Sequence, residues 1–412
     1  MRSSPTPLAR AWLVAGFAVL ICLRLPDVIL HGRFWAEEGK YFYVRAATDP
    51  PLQTLFAPFG GYLNLVANGA SLLARALVPL EYAPWVTTGI ALVFQCLPAI
   101  LLAYSRDRWL QQTPIRIACL LIVATAPAAE EVWLQTLHSQ FHLALCCALI
   151  LALDVPTGWL RAFGFVALFL APLCGPSGAA LVPLFLLRAV LDRSGARLLQ
   201  GLVLASGAAL QLGLFYSHHS GRSYGVSALG LLCVAYIKLI VLPFLGRVWA
   251  DPASAHVRER LGKDLFPLRA VAITVALLAG LLAMLVRRGL AAPFWLVAGA
   301  GVLFGLGVYG SLSTLPGLLT IGEAGRYTFI PQVLLGLALA AAASGEAGRR
   351  WEIWLARGAV IWLLGIGLAD ISRNKLFMGR GPNWRAEVAA WRRDPAHPIA
   401  IWPPGWVMTP PQ

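Results

Sequence analysis

Two glutamates, Glu37 and Glu38, stand side by side after the first long apolar run, among Phe34, Trp35, Tyr41 and Phe42. A carboxylate at such a water–lipid boundary can take the proton of an acceptor hydroxyl. Adjacent acids raise one another's pKa, which suits one of them to act as a base. The pair also fits a plain helix start, where acids favour the positive dipole end and pair with Arg33 or Lys40. The loop continues through Pro50–Pro51 to Tyr62 and Asn64, candidate substrate contacts. Residues Gly69–Leu80 have apolar positions at helical spacing and predict a helix lying in the interface or packed as surface loop.

A second polar element runs from Glu130 to His142. Helical spacing would put Glu131, Gln135, His138 and His142 on one face. With Gln140 that face could line a sugar pocket, because sugars are bound by amides, carboxylates and aromatics. A divalent ion held by Glu131, His138 and a first-loop acid is a lesser alternative, since His138 and His142 form no zinc signature of their own. A solvated helix end is the bland one. Further on, Glu323-Ala-Gly-Arg326-Tyr327 precedes another apolar run. An arginine there can hold a phosphate bidentately, and it also suits a simple interfacial anchor. Lys238 is a second phosphate candidate. Arg24 and Asp27, inside the first run, are expected to pair with each other.

Elements that could position such groups must be membrane helices. The 412 residues are 58% hydrophobic and 13% charged, with mean hydropathy +0.71, against about 25% charged residues in soluble domains. This excludes a soluble enzyme, a nucleic-acid-binding module and a disordered chain. The net charge of +14 is almost all arginine, scattered between apolar runs, and reads as topology and headgroup contact. The seven cysteines fall within apolar stretches without metal-ligand spacing and read as small buried hydrophobes. The first run follows a basic start and lacks a small-residue cleavage site, so it reads as a retained helix.

Apolar stretches near 11–31, 85–104, 115–129, 141–154, 159–174, 178–191, 199–216, 227–246, 268–286, 291–311, 327–345 and 353–370 approach the length of a span. Arg2, Arg10, Arg106, Arg108 and Arg116 place the N-terminus inside. Twelve crossings would leave Arg287–Arg288 and Arg349–Arg350 outside. Removing one crossing corrects both, and Ala228–Gly246, with Lys238 and Pro243 in its middle, is the segment to remove, as re-entrant or surface-lying. The expectation is an all-α bundle of about eleven transmembrane helices over 1–371, including a long first outer loop over 32–84, and a short outer tail over 372–412. The outer face would hold that loop, Glu130–His142, His218–Arg269, Ser311–Tyr327 and the tail. Loops this long are usually functional.

On these pieces the chain resembles bacterial GT-C fold glycosyltransferases, multi-span enzymes that take a sugar from a polyprenyl phosphate carrier. The resembling segments are Trp35-Ala-Glu37-Glu38-Gly39, Gly60-Gly-Tyr62-Leu-Asn64 and Leu137-His-Ser-Gln140-Phe-His-Leu-Ala. Gly175-Pro-Ser177 ahead of Pro183, Arg326-Tyr327 with Pro331, and Trp402-Pro-Pro-Gly-Trp406 complete them. The resemblance implies a multi-pass protein of the bacterial cytoplasmic (inner) membrane with its active site on the periplasmic side. It implies a first-loop acid that activates or orients the acceptor, a glycan, lipid or protein, and Arg326 on the carrier phosphate. Because a phosphate leaves without a strong general acid while the acceptor hydroxyl benefits from a base, inverting transfer is the expected mechanism. Membrane lipids are the surroundings; no cofactor and no nucleic acid enter. Such proteins more often carry Glu-Asp or Asp-Asp in the first motif, so Glu37-Glu38 leaves open which residue is the base. His138 stands where an asparagine is expected. The competing class is a transporter or flippase of lipid-linked glycans or small molecules. The long acidic first loop, the odd crossing count and the lack of a visible internal repeat argue against it. An acyltransferase finds no histidine–aspartate activating pair.

Overall fold

In a bilayer every backbone N–H and C=O must be paired within the chain, and a helix does this locally. The computed structural model describes residues 6–217, 225–289, 291–311, 313–346, 348–372 and 381–411. Among them the architecture is all-α, apart from two short antiparallel hairpins, Pro58–Phe59 with Tyr62–Leu63 and Ile399–Ile401 with Trp406–Met408. Arg2, residues 218–224 of the third expected polar element and 373–380 of the tail lie outside the described residues.

Seven described helices are long and apolar enough to cross a membrane: Pro7–Arg24, Leu80–Tyr104, Gly195–Ser217, Ala228–Leu245, Ala292–Tyr309, Arg326–Ala343 and Arg350–Ile371. The chain is a multi-pass membrane protein. The other expected runs are helical too: Leu268–Arg288 has 21 residues, whereas Thr113–Thr125 has only 13. At 1.5 Å per residue it reaches about 20 Å, short of a hydrocarbon layer about 30 Å thick. The first run also breaks. Pro26 has no N–H and pushes Leu25 out of the helical region, to φ −133° and ψ 65°, before a short helix Pro26–His31.

The centre of the bundle is the helix Ser139–Ala152, buried at every residue, packed against Arg326–Ala343 and Ala292–Tyr309. Its last carbonyls have no helical partner. Arg197 takes Ile150 O at 2.9 Å and also Leu153 O, and Arg188 takes Leu151 O. Cations suit a helix C-terminus on dipole grounds as well. The same device closes Thr113–Thr125, where Arg24 donates to the carbonyls of Ala124 and, at 3.2 Å, Ala126. Arg24, expected to pair with Asp27, is therefore committed to backbone. All seven cysteines are free thiols, and all but Cys22 are buried.

The first loop and the tail sit together at one end of the bundle, here called the loop end. Phe34, Tyr43, Trp384, Val388, Ile399, Ile401 and Met408 share one apolar cluster. Trp35 pairs with Trp402, whose N–H donates to Phe34 O at 3.1 Å. Trp384 Nε1 donates to Glu81 O at 3.0 Å, and Arg392 pairs with the Glu81 carboxylate at 2.6 Å. The tail thus packs against the first loop. The amphipathic helix expected from Gly69 begins earlier, at Leu65, because Asn64 caps it by accepting from Ala67 N at 3.2 Å. Gly60 and Gly61 take φ of 60° and 86° in the two-residue hairpin turn, which needs positive φ at both positions.

Ala228–Leu245, the segment expected not to cross, is long and apolar enough to do so, and other elements meet it at three points. Gly230 packs near Leu315, Lys238 bonds to Thr320 and Glu323, and Gly246 after it packs near Ile366.

Candidate functional site

The polar residues of the loop end converge from three parts of the chain. From the first loop comes Glu38, 1% exposed, in a stretch of π-helix, Glu38–Tyr43. Its carboxylate accepts from Thr136 N at 2.9 Å, from the Thr136 hydroxyl and from Trp35 N at 3.3 Å. Burial pushes its pKa up against those bonds. Glu37 differs. It is half-buried and makes no hydrogen bond or ion pair among the described residues. The structure therefore separates the acid pair into a carboxylate fully engaged by the fold and one left available.

Arg33 lies buried beside this pair, its guanidinium 4.7 Å from the Trp35 ring and 5.4 Å from that of Trp402. Nη2 donates to Trp133 O at 3.3 Å, while Nε and Nη1 meet no acceptor. Burial lowers its pKa to about 10, with the Glu38 charge opposing the shift.

The second contribution is the segment 130–138. The single helical face expected through Glu131, Gln135, His138 and His142 does not form. Glu130–Val132 is one 3₁₀ turn, Leu134 adopts φ 57°, and the helix starts only at Ser139. The side chains meet by another route. Gln135 Nε2 donates to Glu131 O, and His138 Nδ1 sits 2.7 Å from the same oxygen. Gln95, from Ala83–Tyr104, holds the segment by bonds to Val132 O at 3.3 Å and Leu134 N at 3.0 Å.

The third contribution is the start of Arg326–Ala343. The Arg326 guanidinium meets the Glu131 carboxylate at 2.9 Å, and its backbone N–H donates to the other oxygen, also at 2.9 Å. The Arg326 side chain stays 27% exposed, so it remains accessible from outside. Lys238, the other phosphate candidate, is wholly buried and donates to Thr320 O at 2.5 Å and Glu323 O at 3.0 Å. Alongside runs a network that the sequence did not suggest. Arg247 pairs with Glu130 at 3.0 Å and Asp370 at 2.5 Å, and Asp370 accepts from Ala128 N at 2.9 Å. These partners lie more than a hundred positions apart, and no local spacing signals them.

Tyr62, Asn64 and Gln140 lie at the same end in supporting positions. Asn64 is buried and donates to Leu137 O at 3.1 Å, as Gln140 does at 3.4 Å. Tyr62 is half-buried in the hairpin, whose Leu63 is bonded to Gln211 at 3.2 Å. Among the described residues no three His, Cys, Asp or Glu side chains form a metal-binding group. The set Glu131, His138 and a first-loop acid does not converge: the Glu131 carboxylate faces Arg326, and that of Glu38 faces Thr136.

Four non-glycine residues with positive φ surround these groups: Ala36, Ala128, Leu134 and Ala324. Each costs on the order of 1–3 kcal/mol. Such outliers persist only where surrounding contacts over-determine the backbone, and they gather at functional sites.

Acid should weaken this end of the molecule. Burial drives the His138 pKa from 6.5 to about 4, the Glu131 charge opposing and the Arg326 and Arg33 charges assisting. Between those values the unfolded chain binds a proton that the folded one refuses, so stability falls as pH drops through that window. Burial alone would raise the Glu131 carboxyl, but Arg326 and His138 outweigh it and hold it below 4.5. Its contribution is complete above 4.5 and fades below. The melting midpoint should therefore decline from about pH 6.5 downward, and His138→Gln should flatten the upper part of the decline.

No protein-family model and no curated protein matches this chain.

Proposed function

We propose that this protein is an integral membrane glycosyltransferase that moves a sugar from a polyprenyl-phosphate donor to an acceptor at the loop end, taken as the periplasmic face of a bacterial inner membrane. The observation that carries the reading is that the loop end holds both an available first-loop acid, Glu37, and a partly exposed Arg326, itself paired with Glu131. In this reading Glu37 takes the acceptor's hydroxyl proton as that oxygen attacks the anomeric carbon. The bond to the carrier phosphate breaks with inversion, and Arg326 offsets the charge developing on the departing phosphate. A phosphate needs no strong acid in order to leave. Glu38 acts as a positioning residue: its bonds to Trp35 and Thr136 fix the backbone that carries Glu37 and join the first loop to the 130–138 segment. Lys238 supports Arg326 by holding the Thr320–Glu323 turn. An odd crossing number, with Ala228–Leu245 at the loop end, belongs to the same reading.

The transporter alternative requires polar groups along a path through the bundle. The two most buried helices instead run Leu143–Ala152 and Val333–Ala343 without one charged side chain. Purified protein supplied with a panel of radiolabelled polyprenyl-phosphate sugars should transfer or release sugar from at least one of them. Tight binding of a lipid-linked glycan with no turnover of any donor would instead favour transport.

A further inference from the structure

At the opposite end of the bundle a cavity of about 240 Å³ opens between four helices. Its wall is built from the first turn of Pro7–Arg24, the last turns of Ala83–Tyr104 and Ser139–Ala152, and the start of Trp159–Cys174. Helix ends of a membrane-spanning bundle lie at the depth of the lipid headgroups. The floor is apolar, formed in part by Leu101 and Leu160, whereas the rim carries Arg10, Arg106 and Asp154. Two rings complete it. Tyr104 and Trp159 meet edge to face at 5.2 Å, and the Arg10 guanidinium lies 6.0 Å from the Tyr104 ring.

The rim is anchored by Asp107, which is not part of the lining. The Asp154 N–H donates to the Asp107 carboxylate at 3.1 Å, and Asp107 accepts from the Ser105 hydroxyl at 2.6 Å. The Asp154 carboxylate itself makes no ion pair among the described residues. Two guanidinium groups select a phosphate. A carboxylate next to aromatic faces selects an ammonium. A ligand that satisfies both, and also covers an apolar floor, is amphiphilic and zwitterionic. Free phosphate fails on two counts, since its charge opposes Asp154 and it leaves the floor uncovered.

We propose that this cavity seats the phosphoethanolamine headgroup of a membrane lipid, with Arg10 and Arg106 on the phosphate and Asp154 with the Tyr104–Trp159 pair on the ammonium. Asp154 discriminates by accepting hydrogen bonds that a primary ammonium offers and a quaternary one does not.

Native mass spectrometry on the full chain, titrated in detergent with phosphatidylethanolamine, phosphatidylcholine or phosphatidylglycerol, tests this directly. The ethanolamine lipid should be retained about tenfold better than the other two. Arg106→Ala should lower retention of all three, and Asp154→Asn should erase the preference for ethanolamine. Neither substitution touches a bond that holds the fold, because Arg106 uses its carbonyl and Asp154 its N–H. Equal retention of the three lipids by the parent, or an unchanged preference in Asp154→Asn, would overturn the proposal. In separate arms, inorganic phosphate at the same concentration should leave the lipid bound; displacement by phosphate would show a soluble-anion site instead and also overturn it.

Discussion

Glu37→Gln should leave the protein as stable as its parent while lowering sugar transfer by a factor of about 10²–10⁴, the range expected when a general base is removed. Glu37 carries no bond of the fold among the described residues, so the amide replaces the carboxylate at little structural cost. Glu38→Gln should behave in the opposite way. The carboxylate there accepts from two backbone N–H groups and a hydroxyl inside the protein, and an amide brings a donor where only acceptors fit. Losing bonds to a buried charged group costs about 2–3 kcal/mol, so this variant should melt earlier and lose activity as the loop loosens. The two effects separate when denaturation midpoint and transfer rate are measured on the same preparations. A stable but inactive Glu38→Gln beside an active Glu37→Gln would reverse the assigned roles.

Gly325→Ala should destabilise the loop end by about 3 kcal/mol, the upper part of the usual range for overpacking. A Cβ at Gly325 would fall well inside contact distance of the Ala128 carbonyl oxygen, and backbone cannot swing aside as a side chain can. The chain there must separate either the start of Arg326–Ala343 from the segment ahead of Glu130 or Ala128 from Asp370. The first breaks the Arg326–Glu131 pair and the second the Arg247 network. Limited proteolysis of the first loop, together with the melting midpoint, reads the effect. Gly322→Ala is the control, because a Cβ at Gly322 has nothing within 4 Å. Equal stability of the two variants would mean that Gly325 is not the close approach it is taken to be.

Much of the scaffold is legible in the sequence because apolar runs and helix stops are local signals. The run at 159–174 is the helix Trp159–Cys174, and Gly195–Ser217 and Ala292–Tyr309 differ from expectation by a few residues. Helix length in relation to membrane thickness is less legible, since a 13-residue apolar helix and a crossing one look alike until their ends are seen. The site is legible by composition and not by shape. Glu37, Glu38, His138 and Arg326 are all at one end, but the helical face through 131–142 is replaced by a turn at Leu134. A positive φ at leucine is set by tertiary packing and leaves no trace in local propensity. Arg247, Asp370 and Gln95 were missed for a related reason: each meets its partner across the bundle. Arg24 and Lys238 look, in the sequence, like charges seeking an acid and a phosphate, whereas buried carbonyls at a helix end and a turn accept hydrogen bonds from them.

The bond from Trp384 to Glu81 joins residues 303 positions apart, and that from Ala128 to Asp370 joins residues 242 apart. Helices can enter the bilayer one by one during synthesis, each with its own hydrogen bonds complete, whereas the loop end cannot close until its latest-made strand arrives. Until then Phe34 and Trp35 lack the partners that cover them, and the nascent protein presents an open, aromatic surface on one side of the membrane. The interval between the first helix and residue 402 is when quality-control proteases have their best access, and variants that slow the tail's docking should be cleared while their helices are already in place.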